Sequence, residues 1–570
     1  MDRLSMPSQS SKRHSAILGP DGAPISRTPA RVPMPRRRSM ALNGGYGQTP
    51  YDAADITGSH MLAWNPLLWS PDIELNIYRD RIVSRIRDLV RNDGWASGTI
   101  TRVLDNAIGG SFRAISKPDY RALSVKTGYA FDAAWADEWG REVDSHWRSF
   151  AEDENRYCDV GRRLTFTQLC WTAMRHDLID GDALAQICWL PERIGEGRAE
   201  FATCINLIDP DRLSVPQNNW DMKHIRGGVQ IDDWGAPVGY HIRRAHQGDW
   251  FAAAETQQWD YIPRETEWGR PNVVHHFQTE RAGQHRGGAG ILAPVVQRLK
   301  MLIKYDGTEL DAAIVNAIFG AYVESPYDQE MVGDALGAGQ MSAYQNLRLD
   351  HHDASGAAML GNVRMPLLAP GEKINTVSAA RPNSNFDAFE SAVLRNVASG
   401  AGVSAMQVSN NWSDVNYSSA RAAMLEAWKT MARRRQNFAQ GFASPMRSAW
   451  LEECVSLYDL PMPRGVPRDF LARHFPDLKT PLARCKWLGP GRGWIDPVAE
   501  RKGSIMALDA GLTTLEEEIA ENSGADWEET LDQRAVEIAR YKQHGIPLPE
   551  WGTNAATADE ASQPKEQDAK

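Results

Sequence analysis

Apolar residues recur with helical spacing from about Leu68 onward. Ser70-Pro71-Asp72 supplies a capping hydroxyl, a proline at the first helical position and an acid in the first turn; Ile82, Ile86 and Leu89 then share one face. After the break at Asp93-Gly94, a second stripe of Ile100, Val103, Leu104, Ala107 and Ile108 predicts another helix, which Gly109-Gly110 ends. A third helix is predicted over Thr165 to Ile179, with Phe166, Leu169, Cys170 and Met174 on its apolar face. The rhythm then shortens. Leu184 to Leu190 and Phe201 to Ile208 are brief apolar runs bounded by turn residues. Val229 to Ile231 and Val238 to Ile242 alternate around Asp233-Trp234-Gly235 as a hairpin would, and Val273 to Phe277 adds a strand. Residues 65–285 therefore read as an α+β domain.

Beyond the Gly-rich turn Gly287-Gly288-Ala289-Gly290, a long helix is expected to about Phe319, carrying Val296, Leu299, Ile303, Leu310, Ile314 and Ile318. Residues 320–380 give only short strand signals and glycine-rich turns. Helix returns from Phe386 to about Ser399, and a polar loop follows. Another helix begins at Asn416-Tyr417-Ser418-Ser419 and runs to about Phe442. The middle of the chain is thus a long helix, a small insert, a long helix, a loop and a long helix. Near the C-terminus, Thr513-Thr514-Leu515-Glu516-Glu517 reads as a capping box, and residues 525–543, with Trp527, Leu531 and Ile538, as a second helix stopped by Pro547-Leu548-Pro549.

At 570 residues, roughly three or four domain-sized units fit. The 42% hydrophobic and 24% charged content is that of a globular chain. Twenty Trp are many, and both core burial and subunit contact would use them. The first 50 residues are rich in Ser, Pro, Gly and Arg, with Arg3, Lys12, Arg13, Arg27, Arg31 and Arg36 to Arg38 against Asp2 and Asp21. They read as a disordered basic arm over 1–60, either a solvated tail or a contact for DNA or acidic scaffold. The net charge is −10, which disfavours a repressor-like DNA binder but not a channel through which DNA must slide. No apolar stretch is long enough for a membrane span, and Cys158, Cys170, Cys188, Cys204, Cys454 and Cys485 lack zinc-site spacing, so free thiols in a reducing compartment are expected.

Catalytic templates fail. There is no Gly-Lys dipeptide for a phosphate-binding loop, no HExxH and no GxSxG. Asp177-Leu178-Ile179-Asp180-Gly181-Asp182 has the wrong ligand spacing for calcium and reads as a helix-to-strand turn. His275-His276 would point to opposite faces of a strand, and His351-His352 falls in a polar loop. Gly489-Pro490-Gly491-Arg492-Gly493 matches a phosphate loop only in its glycines. Neither a catalytic site, a metal nor a cofactor is expected. Arg433-Arg434-Arg435 is the strongest basic feature of the folded part, either a solvated face near inter-subunit carboxylates or a contact for DNA phosphates.

Several segments together resemble the lambda family of tailed-phage portal proteins. They are Ile17 to Gly22, Asp88 to Trp95, Ile108 to Phe112, Phe150 to Glu154, Arg163 to Thr167, Gly227 to Asp232 with Gly239-Tyr240, and Tyr261 to Arg264. Gly402-Val403-Ser404, Asn416 to Arg421, Cys485 to Gly489, Gly491-Arg492 and Ile495-Asp496 continue the series in order. The resemblance implies an α+β portal fold, mostly helical, in a ring that is usually dodecameric. The ring sits at one capsid vertex of the virion, is assembled in host cytoplasm, and passes double-stranded DNA in and out. Implied partners are the major capsid and scaffold proteins, the large terminase subunit and the head-completion or tail connector proteins, with no membrane. Mapped here, 65–285 is the N-terminal part of the wing, 286–319 and 381–400 the stem helices and 320–380 the clip. Residues 401–416 become the tunnel loop, 417–499 a long helix and the C-terminal part of the wing, 500–550 the helical crown, and 551–570 a disordered tail.

The tunnel loop would present Gln407, Ser409, Asn410, Asn411, Trp412, Ser413, Asp414 and Asn416 to DNA, with no Lys or Arg among Ser404 to Asn416. Such a rim would act as a low-friction collar, unless it is an ordinary surface loop with Trp412 packed inward. The rival readings are another head component, an adaptor or scaffold, or a DNA-packaging terminase, which would need the missing nucleotide-binding loop.

Overall fold

Asp93 ends one helix and starts the next. Its backbone is extended and its carboxylate accepts from the Ala96 amide at 2.8 Å, so α2 (Arg79–Asn92) and α3 (Gly94–Ala107) meet at a corner. A short α1 (Pro71–Asn76) precedes them; Pro71 sits where expected, but Ser70 makes no side-chain cap. Ile86, Leu89, Ile100, Val103, Leu104 and Ala107 are buried, as their spacing requires. The computed structural model describes residues 63–218, 220–319, 358–360, 363–365, 386–413, 417–492 and 497–547. Every element from α1 onward lies in the unit that begins at Trp69. The basic arm, most of the 320–380 insert with His351-His352, and the C-terminal tail fall outside the described residues.

After strand β1 (Arg113–Ser116) and α4 (Tyr120–Thr127) comes a helix the sequence reading missed, α5 (Ala133–Ala151). Asp132 caps it, and Trp135, Trp139, Val143 and Trp147 follow at four-residue steps on the buried face. Trp147 lies edge-on to Phe166 at 4.8 Å and to Trp450 at 4.9 Å, so the core is built around packed rings. Part of the Trp excess is accounted for here; Trp220, Trp234 and Trp250 remain exposed.

Thr165 and Gln168 close a capping box at the start of α6 (Phe166–Asp180). Gly181, in the left-handed region at φ 88°, turns the chain directly into β2 (Asp182–Trp189). β2 is the centre of a three-stranded antiparallel sheet, flanked by β3 (Thr203–Ile208) and β8 (Val273–Phe277). A second antiparallel sheet runs as a meander through β4 (Ile225–Arg226), β5 (Val229–Ile231), β6 (Pro237–Arg243) and β7 (Trp259–Pro263), with Asp233-Trp234-Gly235 in the expected hairpin turn. The Gly287–Gly290 turn crosses the α6–β2 corner so closely that a side chain at Gly290 would lie 2.2 Å from the Ile179 carbonyl oxygen.

α7 (Val296–Phe319) and α8 (Phe386–Ala401) flank the insert, of which β9 (Ala358–Leu360) and β10 (Val363–Met365) form an antiparallel pair. Tyr305 on α7 stacks on Phe386 at 5.4 Å and meets Phe389 edge-on at 5.2 Å. A short α9 (Ala405–Ser409) leads to α10 (Tyr417–Phe438). The helix expected to stop near Phe442 instead passes through a π turn (Ala439–Ala443) into α11 (Ser444–Leu457), where Trp450 is buried. α12 (Phe470–Arg473) and α13 (Phe475–Leu482) precede β11 (Cys485–Leu488), which pairs with β1 and so joins early and late parts of the chain in the α+β body. α14 (Pro497–Asp509), α15 (Leu515–Ser523) and α16 (Trp527–Gln543) finish the described chain. Thr514 caps α15 by accepting from the Glu517 amide. All six cysteines are free thiols, four of them buried, and burial raises Cys158, Cys204 and Cys454 to about 12. No helix among the described residues is long and apolar enough to cross a membrane.

Candidate functional site

The polar segment after α8 is not wholly a loop. Ser404 and Gln407 form a reciprocal capping box, so Gln407 commits its amide to the start of α9 rather than facing outward, and Val408 beside it is buried. Ser409 ends this turn of helix, and Asn410 follows in the left-handed region at φ 52°. Asn411 accepts from the Ser413 amide at 3.1 Å and hydroxyl at 2.7 Å, an Asx turn that holds the tip. Trp412 is 45% exposed, so it does not anchor the segment by packing inward. Asp414 and Asn416 lie outside the described residues. The segment itself has no cation, but Arg102 on α3 donates Nη2 to Asn410 Oδ1 at 2.6 Å. No sequence spacing could have paired positions so far apart.

Arg433-Arg434-Arg435 does not form one cationic surface. Successive helical residues fan out by about 100°, and here only Arg433 is exposed. Arg434 is turned inward, where burial lowers its pKa against the pull of Asp177, itself raised by burial to about 7. Arg435 Nε donates to the Ala107 carbonyl at 2.8 Å, and its Nη2 to those of Asn106 at 3.0 Å and Pro490 at 3.2 Å. It thereby satisfies the carbonyls at the end of α3 and ties α10 to the chain just after β11. Its guanidinium also lies 5.1 Å from the Trp428 ring centre, and burial pulls its pKa down to about 10.

Arg435→Lys should therefore behave as a loss, because an ammonium cannot reproduce the planar fork that reaches three carbonyls. About 1–3 kcal/mol of stability should disappear. A thermal melt no lower than that of the parent chain would contradict this assignment.

The frame that carries these elements is knotted by charge at the α6–β2 corner. Asp182 is fully buried and accepts from Arg79 Nη2 at 2.5 Å and Arg286 Nε at 3.0 Å, with His275 Nε2 at 3.2 Å. Arg286 also donates to the carbonyls of Pro210, Leu213 and Gly227. Asp180 accepts both Arg87 Nε at 2.8 Å and Nη2 at 2.9 Å, and lies 2.6 Å from His176 Nδ1. His176, Asp180 and Asp209 stand at metal-like spacing, as do Asp209, Asp211 and His246, but the Arg87 guanidinium reaches all three carboxylates, lying 2.6 Å from Asp209. Arg87 supplies the positive charge there. His276 faces away from His275 and meets Phe438 edge-on at 5.5 Å, so the histidine pair does not converge.

The family described as phage portal protein, lambda family, matches residues 57–435. The chain belongs to the lambda family of phage portal proteins. It is 32% identical to portal protein B of Escherichia phage lambda over 95% of both chains. It is also 32% identical to the portal protein of Escherichia phage N15, over 97% of this chain and 98% of the other. Among solved structures, a chain in the virion of a native gene transfer agent particle aligns over 80% of this chain and 94% of its own, at 12% identity and a TM-score of 0.35. The family match and the two phage relatives give this chain the function of a phage portal protein, and those relatives are structural proteins. Of the anticipated site, Asn410, Asn411, Trp412, Ser413 and Arg433 are exposed, whereas Gln407, Arg434 and Arg435 serve the fold.

Proposed function

We propose that identical copies of the chain close head-to-tail into a ring at one capsid vertex, and that duplex DNA passes through its centre during packaging and ejection. The family match, with relatives aligned over nearly the whole chain, carries this reading. The helix pair α7 and α8 around the insert supports a stem and clip, the two-sheet body a wing, and residues 500–547 a crown. A closed ring needs two different faces of each subunit to be complementary. The terminase large subunit, capsid and scaffold proteins and the connector proteins dock on such a ring, and the chain's own role is structural rather than catalytic. Proheads assembled without the chain should hold no DNA; packaging at the normal yield without it would overturn the reading.

The segment from Asn411 to Ser413 serves as a collar with little grip on phosphate. Polar groups there offer weak, exchangeable hydrogen bonds, while an added cation would bind phosphates by counterion release. Asn411→Lys should accordingly slow DNA translocation, most of all at low salt, since screening weakens the new contact as ions are added. Single-motor packaging velocity measures this. An unchanged velocity at low salt removes the collar from the reading.

A further inference from the structure

The last two helices are held to the body of the chain by charge. α16 buries no residue, and α15 buries only Asn522. Against them stand five cations from the body. Arg113 Nη1 lies 2.9 Å from Glu529 Oε2, and Arg148 Nη1 lies 2.5 Å from Glu529 Oε1. Arg141 Nε lies 3.2 Å from Glu528, while Lys117 and Lys486 lie 3.2 and 3.7 Å from Glu516. Every positive partner belongs to the β1–β11 ribbon with its adjoining Lys117, or to α5 packed on it; α15 and α16 supply Glu516, Glu528 and Glu529, while on the body's own side Arg113 also meets Glu152 at 3.5 Å and Arg141 also meets Asp137 at 2.8 Å. Among the described residues, the backbone tie is at one point, where the Arg492 amide donates to the Glu521 carbonyl at 2.7 Å.

This separation of charge has a chemical consequence. The pairs are partly open to water, so each is individually weak and screened by salt. A net acidic chain has nonetheless gathered five cations on one strip, where the body itself supplies the carboxylates of Glu152 and Asp137 and α15–α16 supply three more. Glu529 sits between two arginines, as a phosphate would. We propose that α15–α16 is an acidic flap over a phosphate-binding strip, and that Arg113, Lys117, Arg141, Arg148 and Lys486 take the backbone of duplex DNA when the flap lifts. DNA is the occupant favoured because a polyphosphate replaces all three carboxylates at once and gains by counterion release. The choice of DNA rests on the portal reading; the flap itself rests only on the ion pairs.

The test uses the full chain carrying Glu516→Gln, Glu528→Gln and Glu529→Gln together. Two readouts are needed: anisotropy of a short fluorescent duplex at low salt, and protease cleavage between α14 and α16. The flap should become cleavable, and duplex affinity should rise on the order of tenfold with a steeper salt dependence. Adding Arg113→Gln and Arg148→Gln should abolish the gain while circular dichroism stays unchanged. If the flap remains protected, the charge latch is wrong. Should it open with no gain in duplex binding, or with an equal gain for polyglutamate, the phosphate strip is wrong. Particle mass is read on the same samples: a ring without the gain sinks only this proposal, and failure to form a ring sinks the portal reading instead.

Discussion

Asp182→Ala should cost about 3–5 kcal/mol of stability, since it removes the carboxylate that both buried arginines share. Arg79 and Arg286 both point at Asp182 and are themselves buried, at 3% and 4% exposed. Asp182→Asn keeps the shape and should cost less, because an amide oxygen still accepts one hydrogen bond. Burial alone would raise the pKa of Asp182, but Arg79 and Arg286 overcome it and hold the carboxyl well below the usual range. A depressed folded pKa gives stability that is present above the ordinary carboxylate pKa and lost as pH falls through and below it. Denaturant melts of the parent and Asp182→Ala should therefore differ most at neutral pH and draw closer in acid. A difference under about 1 kcal/mol at neutral pH would contradict the charged knot.

Trp450→Ala should be comparably severe, at about 3–5 kcal/mol, because it empties the centre of the ring cluster. Trp450 is 0% exposed and contacts Trp147, Phe150 and Phe201, with ring centres 4.9, 6.0 and 5.5 Å away. These partners come from α5 and from the chain just before β3, so one side chain joins the C-terminal helix α11 to the N-terminal half. Trp450→Phe retains ring contact and should cost clearly less. Equal melts for the alanine and phenylalanine variants would mean that the site collapses around the loss, and that packing there is not what holds α11 in place.

Local chemistry made much of the fold legible. The strand Val273–Phe277, the helix starting near Thr165 and the Asp233-Trp234-Gly235 hairpin follow from residues adjacent in the chain. Two further local signals are readable in the sequence and point to elements missed there: the four-step series Trp135, Trp139, Val143 behind the Asp132 cap, and Ser404-x-x-Gln407, which spells a capping box inside a supposed loop. What could not be read locally is long-range pairing. Asp180-Gly181-Asp182 was recognisable as a turn, but its arginines lie far off in sequence, at the start of α2, within it and after β8. Arg435 likewise announces a positive charge without saying that three carbonyls will claim it. Charge runs in a helix show composition; only packing decides which member stays outside.

The most direct measurement is electron microscopy of the purified full chain, with averaged end-on views. Particles should be closed rings of identical subunits with a central opening wide enough for a DNA duplex. Monomers under every assembly condition, or discs without an opening, would contradict a portal built from this chain.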